Sequence, residues 1–482
     1  MKFHWAKMFL RSPWIWAVFG LTVFGMALRW LGLGRESLWM DELQTLRAAL
    51  LPWGELVMER LSAGHAPLYF LLMKPWIAVF GASETALRLP SLLLGTATIP
   101  LTYLLGRQAV SRTVGLFAAC GITVSAINIE YAQEARPYTL LTLLVLLSAL
   151  GAVKLHSSLG RQGWGLACVG LIAGIYTHSY FLFFALVIVG WLLWSSRGTA
   201  AVGRVWSLAL TVGMAALPWV AAVTWQQLRP QPGNPVFFLS QQQWTLWDAA
   251  VNFLVRTRAA TYWPEPSYLA VFPTALLLGV AILPVVRWVR RGVTDQKTPI
   301  VLLYGLVVIP VLLPWLWSQA GTNIFGIHYL LPVTPALYAV VAVGAVSTWE
   351  MLPWRQRPIV LAIAVAAFIP LQSGSLAVAY LVHHKPPWRE VDGYLRRNVG
   401  GEDAVVLIGP AAEATPVLAH YARGAYAVQP APTADVREAA RLWMIGYGPQ
   451  AMARSLQSLA TVLQPFATVR IDRIGIIGLE RR

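Results

Sequence analysis

The sequence predicts a polytopic α-helical membrane protein that ends in a small α/β domain outside the bilayer. Three observations carry this. Of the 482 residues, 57% are hydrophobic and only 12% are charged, whereas a soluble domain carries about 25% charge; the mean hydropathy is +0.59. Apolar runs of about 20 residues recur, each long enough to cross the hydrocarbon of a bilayer as a helix. From His383 onward these runs stop, and short strand-like and helix-like stretches replace them.

The N-terminus is basic (Lys2, Lys7, Arg11) and then apolar over 13–33. That core is too long for the apolar stretch of a signal peptide, so it reads as an uncleaved first span. Further spans are expected at 85–106, 114–130, 138–154, 163–177, 181–196, 205–224, 268–286, 299–317, 329–348 and 358–380, about eleven in all. The segment 66–80 is apolar but short, and Lys74 and Pro75 interrupt it. Counting it as a span would invert every later loop.

Basic residues decide the matter, because they collect on the cytoplasmic side. With 66–80 lying on the outer face or re-entering there, one side receives Lys2, Lys7 and Arg11, then Arg107, Arg112, Lys154, Arg161, Arg197 and Arg204. The same side receives Arg287, Arg290, Arg291, Lys297, Arg355 and Arg357. The expected topology in the cell (inner or plasma) membrane is therefore N-terminus cytoplasmic and C-terminus extracytoplasmic. Residues 1–380 form the membrane domain, with outer loops at 34–84, carrying juxtamembrane helices, and at 225–267. Residues 383–482 form the α/β domain, with a strand at Ala404–Gly409, a helix at Ala412–Ala422 and a final strand pair over Thr468–Leu479.

Several function classes are disfavoured. The charge of +16, from 37 Lys and Arg against 21 Asp and Glu, is accounted for by loop orientation, so no nucleic-acid partner is expected. Cys120 and Cys168 both lie in apolar runs, which argues against a disulfide or a cysteine metal site. There is no P-loop, no G-x-S-x-G and no H-E-x-x-H. No inverted pair of broken helices marks a secondary transporter.

Three polar clusters fall on the outer side. The first is Trp39-Met40-Asp41-Glu42 with Gln44, Thr45 and Arg47. Adjacent carboxylates beside a membrane exit are costly unless solvated or used; the plain alternative is an acidic helix start. The second is Glu130-Tyr131-Ala132-Gln133-Glu134-Ala135-Arg136-Pro137-Tyr138. Its mix of Glu, Arg and Tyr suits a phosphate and a sugar, with the Arg136 guanidinium as a fork of donors, or else an Arg–Glu pair capping two helices. The third joins His178-Ser179-Tyr180 to Thr322–Tyr329, which ends in His328-Tyr329; a lone histidine at a span end is otherwise an interface residue.

Taken in order, these segments resemble the GT-C membrane glycosyltransferases, in particular bacterial relatives of the dolichyl-phosphate-mannose protein mannosyltransferases and the lipid A aminoarabinose transferases. The resemblance runs through Asp41-Glu42, His65–Tyr69, Phe80–Ser91, Tyr103–Arg107 and Tyr131–Tyr138, with looser signals at Ile327–Leu330 and Lys385–Arg389. It implies a GT-C fold, a donor sugar on a polyprenyl phosphate, and transfer to a lipid, glycan or protein acceptor at the outer leaflet. It further implies that Asp41 is the base, that Glu42 supports it, and that Arg136 and Lys74 lie near the donor phosphate. Glu134, Tyr138, His65, His178, His328 and Tyr329 complete the expected substrate site. Two positions depart from the pattern: His65-Ala66-Pro67 stands where relatives have His-Pro-Pro, and His328-Tyr329 where they often have Arg-Tyr.

The chemistry is coherent without the family. An acceptor hydroxyl must lose its proton as the bond forms, which needs one carboxylate. The leaving phosphate departs without a general acid if cations hold it, unlike glycoside hydrolysis with its two carboxylates. Some relatives use a divalent cation; no second acidic ligand set is visible here, so no obligatory metal is expected. The alternatives are an oligosaccharide ligase or polymerase acting on a lipid diphosphate, and a lipid or sugar transporter.

Overall fold

The computed structural model describes residues 12–157, 160–199, 201–228, 245–254, 274–285, 298–320, 323–381, 385–430, 441–447 and 463–481. These fall into two compact units. The first comprises Met1–Leu31, Ala48–Gly81 and Ala86–Val382; the second comprises Gly32–Arg47, Ala82–Thr85 and His383–Arg482.

The first unit is helical. Helix α1 (Pro13–Trp30) opens on a proline, which suits a first helical position because its missing N–H has no partner there anyway. Helix α2 (Met40–Leu50) crosses from the second unit into the first. Then come α3 (Trp53–Ser62) and α4 (Leu68–Phe80), closed at Gly81 with φ 79°. Thirteen residues make α4 about 20 Å long, short of a bilayer's roughly 30 Å of hydrocarbon. This fits the expectation that 66–80 does not cross.

Long apolar helices follow: α5 (Glu84–Ala109), the pair α6 (Arg112–Val124) and α7 (Ala126–Ala132), α8 (Tyr138–His156), α9 (Gly160–Ile175), α10 (Phe181–Ser195) and α11 (Val202–Leu228). After α12 (Leu246–Leu254) and α13 (Thr274–Val285) come α14 (Thr298–Ala320), a 3₁₀ segment Ile327–Val333, α15 (Thr334–Met351) and α16 (Arg357–Leu381). Among the described residues five helices are long and apolar enough to cross a membrane, or six if the bent pair is one span. Helices also stand at 13–30, 160–175, 181–195 and 357–381, where spans were expected, but outside that length and composition test. Of the expected 225–267 loop, Trp247 and the rest of α12 are described, as is the end of α11; 229–244 and 255–267 lie outside the described residues.

The expected single span 114–130 is instead broken: α6 and α7 meet at 60°. A break frees carbonyls that hydrocarbon cannot satisfy. Arg29 of α1, fully buried, meets them. Its guanidinium donates to Ile122 O (3.0 Å) and Thr123 O (3.4 Å), and to Gly25 O (3.0 Å) in its own helix. Asn128 then ties the broken segment onward, donating to Ser125 Oγ (2.9 Å) and Thr334 Oγ1 (3.1 Å).

Helices α8 and α9 run backbone to backbone. A Cβ at Gly151 would stand 2.7 Å from Ala167 Cα, one at Gly163 2.8 Å from Leu155 Cα, and one at Gly170 2.8 Å from Ser148 N. Small residues at such positions let membrane helices approach and pack by dispersion alone. This pair fixes Tyr138, at the start of α8, against His178, just past the end of α9.

The second unit is built on a five-stranded sheet ordered β2-β1-β3-β5-β4. Strand β1 (Ala404–Leu407) pairs in parallel with β2 (Val428–Pro430) and β3 (Arg441–Tyr447). Strand β5 (Ile474–Arg481) runs antiparallel to both β3 and β4 (Leu463–Ile471). β3 is central, and Leu442, Trp443, Met444 and Ile445 are all buried, the continuous apolar run expected of a strand covered on both faces. Helix α17 (Trp388–Asn398) buries Trp388, Val391 and Leu395, an i, i+3, i+7 stripe. Helix α18 (Thr415–Ala422) follows a 3₁₀ turn at Gly409–Ala414.

Candidate active site

The acidic motif belongs to the second unit. Asp41 and Glu42 occupy the first turn of α2, where unpaired N–H groups favour negative charge. The two carboxylates have different surroundings. Glu42 is fully buried and pairs with Lys385 Nζ at 3.0 Å. Asp41 is half-buried, so only the first carboxylate keeps a surface from which to meet a substrate.

The chain leading into this turn is held by the C-terminal part of the same unit. Arg389 N donates to Ser37 Oγ (3.0 Å), and the Arg389 guanidinium donates to Arg35 O (2.8 Å) and Gly34 O (3.4 Å) and pairs with Glu84 (3.4 Å). Leu38 N donates to the Tyr421 hydroxyl (2.7 Å), which in turn donates to Glu84 Oε1 (3.0 Å). Residues 34–38 are thus attached to α17 and α18 by hydrogen bonds between side chains and backbone groups.

In the first unit a cationic and aromatic cluster forms from four separate segments. The Arg136 guanidinium, buried, lies 5.9 Å over the Tyr138 ring. Tyr138 stands 5.3 Å from the His328 ring, 6.3 Å from Tyr329 and 6.4 Å from His178. Tyr329 packs on His178 (4.9 Å), on Tyr180 (5.5 Å, stacked) and on His328 (3.9 Å). The His65 turn is brought in by Leu68 N donating to Tyr176 O at 2.9 Å, at the end of α9.

Two histidines of the cluster are held neutral. Burial, then the Arg136 guanidinium, pushes the His178 imidazole down to about 3. Burial first, then Arg136, His178 and Arg60, does the same for His65, also to about 3. Both rings are therefore neutral at physiological pH. His178 Nδ1 accepts from Tyr180 N (3.1 Å), which assigns its proton to Nε2 and makes that edge a donor. A buried guanidinium beside neutral N–H donors is a setting for an anion.

Of the residues expected from sequence, Arg136, Tyr138, His65, His178, His328 and Tyr329 come together. Glu134 is buried, its carbonyl accepting from Arg136 N at 2.8 Å, so it shapes the turn that presents the guanidinium. Lys74 goes elsewhere: its Nζ donates to Leu51 O (2.5 Å) and Ala49 O (3.4 Å) and lies 5.4 Å from the Trp53 ring. Sequence reasoning did not select Tyr180, Arg60 or the role of Lys385. No spacing rule links position 385 to position 42, whereas Tyr180 lay within the quoted His178-Ser179-Tyr180 cluster. Among the described residues no group of three or more His, Cys, Asp and Glu is placed to hold a metal ion.

Residues 64–225 match the family model of dolichyl-phosphate-mannose-protein mannosyltransferase. No curated protein matches the chain in sequence. In structure it is similar to ArnT from Cupriavidus metallidurans bound to undecaprenyl phosphate, with TM-score 0.59 and 13% identity over 97% of this chain and 98% of that one. It is also similar to the oligosaccharyltransferase AglB from Archaeoglobus fulgidus in complex with an inhibitory peptide and a dolichol-phosphate. There the TM-score is 0.57 and the identity 10%, over 91% of this chain and 70% of that one. The family match over 64–225 and the fold shared along nearly the whole chain show that the protein has the fold of the GT-C membrane glycosyltransferases.

Proposed function

We propose that the protein transfers a sugar from a polyprenyl-phosphate donor to an acceptor hydroxyl on the outer face of the membrane, with Asp41 as general base. The observation that carries this is the division of labour in the acidic pair: Glu42 is committed to Lys385, and Asp41 keeps its exposure. The polyprenyl phosphates bound to ArnT and AglB support this donor class.

In the proposed reaction the Asp41 carboxylate takes the proton of the acceptor hydroxyl as its oxygen bonds to the anomeric carbon. The bond from that carbon to the phosphate oxygen breaks, and the electron pair leaves with polyprenyl phosphate. The Arg136 guanidinium and the Nε2–H of neutral His178 receive the phosphate charge, while Tyr138 and Tyr329 offer ring faces to the sugar or the lipid headgroup. One direct displacement inverts the anomeric centre. Protein in proteoliposomes should accept a sugar on undecaprenyl phosphate and not a glycan on undecaprenyl diphosphate; the reverse preference would favour an oligosaccharide ligase.

A further inference from the structure

We infer that Lys385 is a positioning residue: by pairing with Glu42 it pins the first turn of α2, so that the C-terminal domain sets where Asp41 stands. The inference rests on the reading of Asp41 as base, but the pinning can be measured without it.

Four observations converge. The pair is short, 3.0 Å, and both partners are buried, so neither charge is solvated by water if the other leaves. Lys385 precedes Pro386 and Pro387, which restrict the backbone and thereby where the ammonium stands. Four residues further on, Arg389 binds the carbonyls of Gly34 and Arg35 and its N–H binds Ser37. From α18, Tyr421 accepts the N–H of Leu38. Backbone groups of Gly34, Arg35 and Leu38 and the side chains of Ser37 and Glu42 are thus held by residues 385–421. Such restraint suits a base that must meet its hydroxyl within hydrogen-bond reach, and it gives Glu42 a role that leaves proton transfer to its neighbour.

The test uses full-length protein in nanodiscs, with hydrogen–deuterium exchange read on residues 36–47 and turnover read with mannosyl undecaprenyl phosphate as probe donor. K385M should speed exchange in 36–47 by about tenfold while leaving 84–109 unchanged. K385R should keep exchange within about threefold of the native protein, since it retains the charge. K385M should also lower kcat with the donor KM unchanged. Should K385M not fold, E42Q/K385M removes both charges from the buried site and should show the same faster exchange. Native-like exchange in K385M, or in the double variant, overturns the inference. So does a raised donor KM at native kcat, which would make Lys385 a donor contact. Faster exchange with full activity in D41N would instead retain the pinning and remove the base.

Discussion

Gly151→Ala should damage this protein more than its size suggests. The added Cβ would lie 2.7 Å from Ala167 Cα and closer still to Ala167 N. Heavy atoms pack at about 3.5–4.0 Å, so α8 and α9 must part by about 1 Å. The neighbour is backbone and cannot rotate away, and the helices touch again through Gly163 and Gly170, so the whole seam opens. Overpacking of this kind costs about 1–3 kcal/mol, against a gain of about 1 kcal/mol in helix propensity. The functional loss should be larger, because these helices place Tyr138 and His178, and a shift of about 1 Å at a site can cost about a hundredfold in rate. The control is Gly165→Ala, in α9, where nothing lies within 4 Å of the added atom. Thermal melting and transfer by both variants in proteoliposomes decide the matter. Equal stability and activity in G151A and G165A would refute the account of the α8–α9 seam.

Two further outcomes follow from single side chains. His65 and His178 are held down to about 3 by burial and by Arg136, against about 6.5 in an unfolded chain. Below pH 6.5 the unfolded state therefore binds protons that the native state refuses, and stability should fall as pH falls from 6.5 towards 3. The slope approaches about 1.4 kcal/mol per pH unit for each ring. Denaturant melts between pH 6.5 and 5 should show it and H65Q/H178Q should flatten it; an unaltered slope in that variant contradicts the assignment. Lys74, bound to Leu51 O and Ala49 O, should act on stability: K74M should cost about 1–3 kcal/mol and leave the donor KM unchanged, whereas a raised KM at native stability would return Lys74 to the donor phosphate.

Much of this was legible in the sequence, because composition and run length act locally. The recurring apolar runs gave the helices, the interrupted run at 66–80 gave a helix too short to cross, and the acidic pair stood out because charge beside apolar runs is rare. Strands β1, β4 and β5 could be read from short apolar runs. Central β3 was not expected, although Leu442–Ile445 is the same kind of run. What stayed hidden depends on partners far apart in the chain. Arg29 looks like a basic end of the first apolar run until the bend at Ser125 frees the carbonyls it serves. Lys385 belongs to a loose family signal, but its part stays hidden until the fold sets it against Glu42. Gly151 and Gly163 show no pattern of their own until α9 lies on α8. The histidines were visible as candidates, but their neutrality comes from Arg136 and burial, which only the packed cluster reveals.

The central claim is that Asp41 removes the acceptor proton and that Glu42 does not. The most direct measurement is single-turnover transfer from mannosyl undecaprenyl phosphate in proteoliposomes by D41N and E42Q, with folding of each verified by melting. General-base catalysis contributes about a hundredfold to ten-thousandfold, so D41N should lose at least that much in rate with donor binding intact. E42Q should lose rate only to the extent that its first turn loosens. Native transfer by folded D41N, or a loss confined to E42Q, would contradict the account.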